Sequence, residues 1–186
     1  MQQATDSKAR AKRAEITAGI ADVLLADGVA QVPLRDLAAR LGTSDRMLLY
    51  YFTDKAELIV AAIGELAARL NTVLEGSRVE GRHPPAKVLL DTATFLALPD
   101  LVPFRAVWAD ILARGGRGEA PFAEIARALV ESSIASLEAR LEVEDPALRR
   151  RYAAAILAAI EGVWLLGMVA PGSTDGVTDL LGTALR

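Results

Sequence analysis

The chain has 186 residues, a net charge of −3, 52% hydrophobic residues and no cysteine. That length suits one sizeable core or two small lobes, and the lack of cysteine excludes a disulfide framework, a thiolate metal site and a thiol nucleophile. Alanine and leucine dominate, with few of the β-branched and aromatic runs that strands favour, so the composition leans towards helices.

Charge is unevenly spread. Residues 1–64 hold eight Lys/Arg and eight Asp/Glu, and the remainder holds 13 against 16. Up to Arg13, the cations Lys8, Arg10, Lys12 and Arg13 are opposed only by Asp6, which makes a local basic arm. No apolar run follows MQQATDSKARAKRAE, so this start does not read as a secretory signal.

Helical periodicity begins at about Ser7 and runs to Ala26, with Ile16, Ile20, Val23 and Leu24 at i, i+4, i+7 and i+8. Gly28 follows as a stop signal. VPLRDLAARLG predicts a second, short helix with Pro33 at its first position, Leu34, Leu37, Ala38 and Leu41 inside, and Gly42 closing it. A third begins after Ser44 as N-cap, with Asp45 favourably placed on the helix dipole, and ends at Phe52. Asp54 and Glu57 form an Asp version of a capping box for a fourth, whose stripe is Ile59, Ile63, Leu66 and Leu70. EGSRVEGRHPP reads as a loop. Five more helices are expected over 86–98, 101–113, 121–141, 146–169 and 174–185. The fold class is all-α, with about nine helices.

AAAILAAIEGVWLLGMVA, residues 153–170, carries a single charge at Glu161 and is at the short end for a membrane span. A central Glu is costly in lipid, so a helix buried on nearly all sides by protein is expected instead, with no membrane association.

Two short helices joined by a Gly-containing turn, after a longer one, make the arrangement of a helix-turn-helix. On the wheel of the third helix, Asp45, Leu48, Leu49 and Phe52 fall on an inward half, while Arg46, Met47 and Tyr50 face outward with Tyr51 at the flank. Arg46 can bond a guanine edge bidentately and Met47 can lie against a thymine methyl. Tyr50 and Tyr51 offer hydroxyls to phosphate. Asp45 can accept from a cytosine amine, and Lys55 can pair with a phosphate.

The run RAEITAGIADVLLADGVAQVPLRDLAARLGTSDRMLLYYFTDKAELIVAAI resembles the N-terminal domain of the TetR family of bacterial transcriptional regulators. Arg13 and Ile16, Gly28, Leu37-Ala38, Gly42-Thr43-Ser44, Leu48, Phe52, Lys55 and Leu58 carry the likeness. Three positions depart from the family pattern: Pro33 replaces a capping Thr, Leu49 a Tyr and Tyr51 a His. The resemblance implies a DNA-binding domain over residues 1–53 and a helical effector-binding and dimerisation domain over 54–186. It also implies a cytoplasmic homodimer on a near-palindromic double-stranded operator, released by a small-molecule effector, and a repressor without cofactor, metal or catalytic activity. The DNA-contacting set is Lys12, Arg13, Arg35, Thr43, Ser44, Asp45, Arg46, Met47, Tyr50, Tyr51 and Lys55.

The second half is rich in large apolar groups with scattered polar ones. Phe95, Phe104, Arg105, Trp108, Phe122, Trp164 and Met168 are the candidate lining of an apolar ligand cavity, the two Trp being preferred because a buried indole N–H needs a partner. The last two helices are the expected dimer surface. The competing reading is a helical lipid or small-molecule carrier, which leaves Arg46, Tyr50, Tyr51 and Lys55 without a purpose. Enzymatic chemistry has little to draw on. The single His83 reads as exposed in its loop, and the Glu142–Asp145 acidic run reads as a solvated turn.

Overall fold

The computed structural model describes residues 2–29, 33–76 and 81–185. Among them are nine α-helices and no strand: α1 (Gln2–Asp27), α2 (Leu34–Arg40), α3 (Asp45–Tyr51), α4 (Lys55–Gly76), α5 (Pro85–Leu96), α6 (Val102–Gly116), α7 (Phe122–Arg140), α8 (Pro146–Val169) and α9 (Val177–Ala184). A 3-10 turn, Pro99–Leu101, precedes α6. Residues 77–80 of the expected loop before α5 lie outside the described residues. The chain divides into two compact units, residues 1–78 with 103–125, and residues 79–102 with 126–186.

In the first unit α1 packs along α4 and touches α3, and α2 contacts α3. The expected stripes supply this core: Ile16, Ile20 and Leu24 of α1 and Ile59, Ile63 and Leu66 of α4 are all buried. Each such side chain contributes roughly 1.5–3 kcal/mol of transfer free energy. Ion pairs tie the same helices at their rims. Arg69 of α4 reaches Asp22 of α1 at 2.6 Å and Glu65 at 2.9 Å, and Arg40 of α2 pairs with Asp27 of α1.

Helix ends follow local chemistry. Gly42 takes φ +62°; its N–H bonds the Ala39 carbonyl and the Thr43 N–H bonds that of Ala38, which is a Schellman close. Pro33 differs from expectation. Its ψ of 146° is extended, so it stands before the helix, and only its carbonyl takes part, accepting the Leu37 N–H at 3.1 Å. Gly28, at φ +75°, sits against Asp110 of α6, whose Oδ2 lies 2.7 Å from where a Cβ would be. The same carboxylate accepts the Val29 N–H at 3.0 Å.

The second unit has a core of Val88 and Leu89 from α5, Ile134 and Leu137 from α7, Leu141, and Ala153, Ile156 and Ile160 from α8. Arg150 joins α8 to α7 through Glu131 and Glu138, and Gly182 lets α9 approach Leu90 of α5 closely. Two expectations are corrected here. α8 is long and apolar enough to cross a membrane by length and composition, yet it is not buried on nearly all sides. Ala153, Ile156 and Ile160 form one buried line, while Leu165, Leu166, Met168 and Val169 are exposed, because a helix packed against neighbours on one side buries only that stripe. His83 is not an exposed loop residue. Its N–H bonds the Arg140 carbonyl and its carbonyl accepts the Glu142 N–H, both at 2.8 Å, and Nε2 is buried without a partner among the described residues.

Candidate nucleic-acid interface

α3 is two turns of helix held by its two ends and one apolar line. Ser44 caps the start, its Oγ accepting the Met47 N–H at 3.2 Å. At the other end the Phe52 N–H bonds the Leu48 carbonyl, and Phe52 leaves the helix in extended geometry. Leu48 and Phe52, four residues apart, are the inward anchors, at 0% and 2% exposure.

Arg13 of α1 braces this joint. Its guanidinium donates to the Tyr51 carbonyl at 3.2 Å and to Glu57 at 2.5 Å, and it lies 4.8 Å above the Phe52 ring. Glu57 also accepts the Thr53 N–H at 2.6 Å, while Asp54 accepts the Glu57 N–H at 2.8 Å. The box is therefore shifted: Glu57 reaches back to Thr53, one residue before the Asp54 cap. Those bonds from Thr53, reinforced by Arg13, hold the Glu57 carboxyl below its usual pKa. Arg13, an expected DNA contact, is thus engaged within its own domain.

The remaining residues of the expected set are distributed as follows. Arg46, Met47 and Tyr50 face outward, Tyr50 at 74% exposure and Met47 at 40%, and the Arg46 side chain has no partner among the described residues. Tyr50 and Tyr51 meet edge to face at 4.9 Å, with Tyr51 half-buried against the joint. Asp45 is exposed and bonds the Arg46 N–H through Oδ1. Thr43 is half-buried in the turn, and Arg35 is exposed in the first turn of α2. Lys55 opens α4, half-buried. Lys12 is paired with Glu15 at 2.8 Å, whereas Lys8 and Arg10 of the basic arm are exposed.

Two residues expected on the inward half of the wheel, Asp45 and Leu49, are exposed; Asp45 opens the helix, and Leu49 is the apolar one. It is 49% exposed, and with Ser44, Arg46, Met47 and Tyr50 it lines an open depression on the surface. At about 100° per residue it falls at the edge of the inward arc, about 60° from Arg46. On so short a helix the Leu48–Phe52 line alone meets the core, so the edge position turns to solvent. The wheel angle places Leu49 within the inward half, and only its position at the edge of that arc hints at exposure.

Residues 11–62 match the family model for bacterial regulatory proteins, tetR family. That match covers the N-terminal helices α1–α3 and the start of α4, the stretch whose motifs carry the resemblance. Among solved structures it is similar to a transcriptional regulator from Rhodococcus sp. Rha1, with 22% identity, a TM-score of 0.74 and coverage of 93% of this chain and 95% of that one. That likeness extends the shared fold across both units. No curated protein matches the chain. The N-terminal domain is accordingly similar to the DNA-binding domain of bacterial regulatory proteins of the tetR family, with α2 and α3 in the place of its helix-turn-helix.

The candidate ligand residues fall in separate units. Phe104, Arg105 and Trp108 lie on α6 and Phe122 opens α7 in the first; Phe95 of α5 and Trp164 and Met168 of α8 lie in the second. Phe122 is buried, with Arg114 5.1 Å over its ring. Trp108 has a buried Nε1–H without a hydrogen-bond partner among the described residues. Met168 is 52% exposed, which does not suit the lining of an enclosed cavity.

Proposed function

We propose that this regulator acts as a cytoplasmic homodimeric repressor on a near-palindromic operator and leaves it when a small apolar ligand binds. Residues 1–53 read DNA, and residues 54–186 receive the ligand and pair the two copies; catalysis has no part in the cycle. The observation that carries the reading is the split of α3: Leu48 and Phe52 anchor it, while Arg46, Met47 and Tyr50 stand in water. A face with an unpaired guanidinium between apolar and aromatic groups suits a groove lined by base edges and phosphates.

The reading of the second half draws on α6 and α8. Trp108 carries an unsatisfied indole donor, and an unpaired buried donor costs roughly 1–3 kcal/mol, so a ligand offering a carbonyl, carboxylate or hydroxyl oxygen would be favoured there. Asp110, two residues on and thus on the opposite face of α6, holds the Val29 N–H just after α1. Ligand contact on one face of this helix would in this way be felt where the DNA-binding helices are joined. The exposed Leu165, Leu166, Met168 and Val169 on α8, with Leu180 on α9, favour pairing with a second copy.

Duplex binding across a salt series tests the core of the proposal. A selected duplex should be bound with a steep loss of affinity as salt rises. Arg46→Ala should relax discrimination at one base pair by about 1–3 kcal/mol, and Lys55→Ala should weaken all sequences alike and lower the salt slope by about one. Absence of binding to any duplex at low salt would overturn it.

A further inference from the structure

We infer that Leu49 reads bases, and that with Met47 it selects operators that present thymine 5-methyl groups in the major groove. The inference rests on the DNA-binding reading of α3 and names what that face recognises. Viewed down the helix, Arg46 and Tyr50 occupy the centre of the outward arc; Leu49 lies about 60° to one side of Arg46 and Met47 about 100° to the other. The polar reader is therefore flanked on both sides by apolar side chains, at 49% and 40% exposure, and all four residues line one open depression with Ser44.

Leu48 and Phe52 already fill the inward side, so the fold gives Leu49 no place inside. A leucine cannot bond a phosphate oxygen, nor can it satisfy any donor or acceptor on a base edge. The one apolar group that the major groove offers is the C5-methyl of thymine. Against any other base edge, Leu49 would strip water from a polar group and give nothing back. The expected half-site thus carries a guanine for Arg46 with thymines on neighbouring steps, on one side for Leu49 and on the other for Met47.

The test removes the methyl and nothing else. Duplexes are selected from a randomised pool with the full-length protein, and each thymine of the selected sequence is then replaced singly by deoxyuridine. One replacement per half-site should weaken binding by about threefold to fivefold, the value of one buried methyl group, and should have no effect on Leu49→Ala. A second replacement should depend in the same way on Met47→Ala and be untouched by Leu49→Ala. Leu49→Ala should melt at the temperature of the parent protein. If duplexes are bound but the uracil scan is flat, or Leu49→Ala leaves every uracil effect unchanged, this inference falls while DNA binding stands. A melting loss as large as that of a buried leucine would likewise overturn it, since Leu49 would then be a core residue. If the pool yields no bound duplex, the DNA-binding reading falls and takes this inference with it.

Discussion

α3 and α8 both leave large apolar side chains in water, but in different company. Around the wheel of α3, Leu49, Tyr50 and Met47 are interleaved with Asp45 and Arg46. On α8, Leu165, Leu166, Met168 and Val169 follow one another with only Gly167 between. An apolar surface broken by a cation suits a groove that carries both phosphate charge and base methyls. A continuous one suits another protein surface. Their supports differ in the same sense: α3 is fixed by a cap, a brace from Arg13 and one buried line, whereas α8 stands on a broad apolar core.

The largest expected effect comes from charging the continuous face. Leu166→Glu should give a monomer mass in light scattering at micromolar concentration and lower duplex affinity by about 100-fold or more, because the second half-site then loses its tethered partner. A dimer with unchanged affinity would erase the distinction between the two faces. Within α3 the neighbours Leu48 and Leu49 sharpen it. Leu48→Ala should cost about 2–5 kcal/mol in urea unfolding, and Leu49→Ala should stay within about 0.5 kcal/mol. Equal losses would mean that both leucines are core.

The smallest effect concerns the brace. Glu57 has its pKa lowered in the fold, mainly by the Thr53 N–H and then by Arg13. A depressed carboxylate contributes stability fully above its unfolded pKa, about 4.3, and that contribution disappears as pH falls through the lower folded value. The urea midpoint of the parent should therefore drop more steeply than that of Glu57→Gln as pH falls below about 4.3. Parallel curves would show that the joint does not depend on this charge.

Much of the fold was legible because it is written in local patterns. The stripes of α1 and α4, Ser44 and Asp54 as caps and the Gly42 stop each depend on residues within a turn or two of one another. Pro33 stands one position earlier than expected because its fixed φ suits both the first helical residue and the one before it; ψ decides, and ψ depends on how the chain arrives. The candidate interface was legible to the same degree, since Arg46, Met47 and Tyr50 oppose Leu48 on any helical wheel. Leu49 was not, because an edge position is inward or outward according to how wide the neighbouring surface is.

The same limit applies to α8, His83 and Arg13. Sequence by itself determined which segments are helical, where they stop, and which side of each long helix is apolar, since these follow from backbone hydrogen bonding and side-chain spacing. Only the tertiary structure decided how much of an apolar helix finds a partner within one chain. It also decided that Arg13, from 38 residues away, joins Tyr51, and that His83 closes against residues 140–142. Such contacts bring together parts of the chain whose spacing in sequence carries no periodic signal.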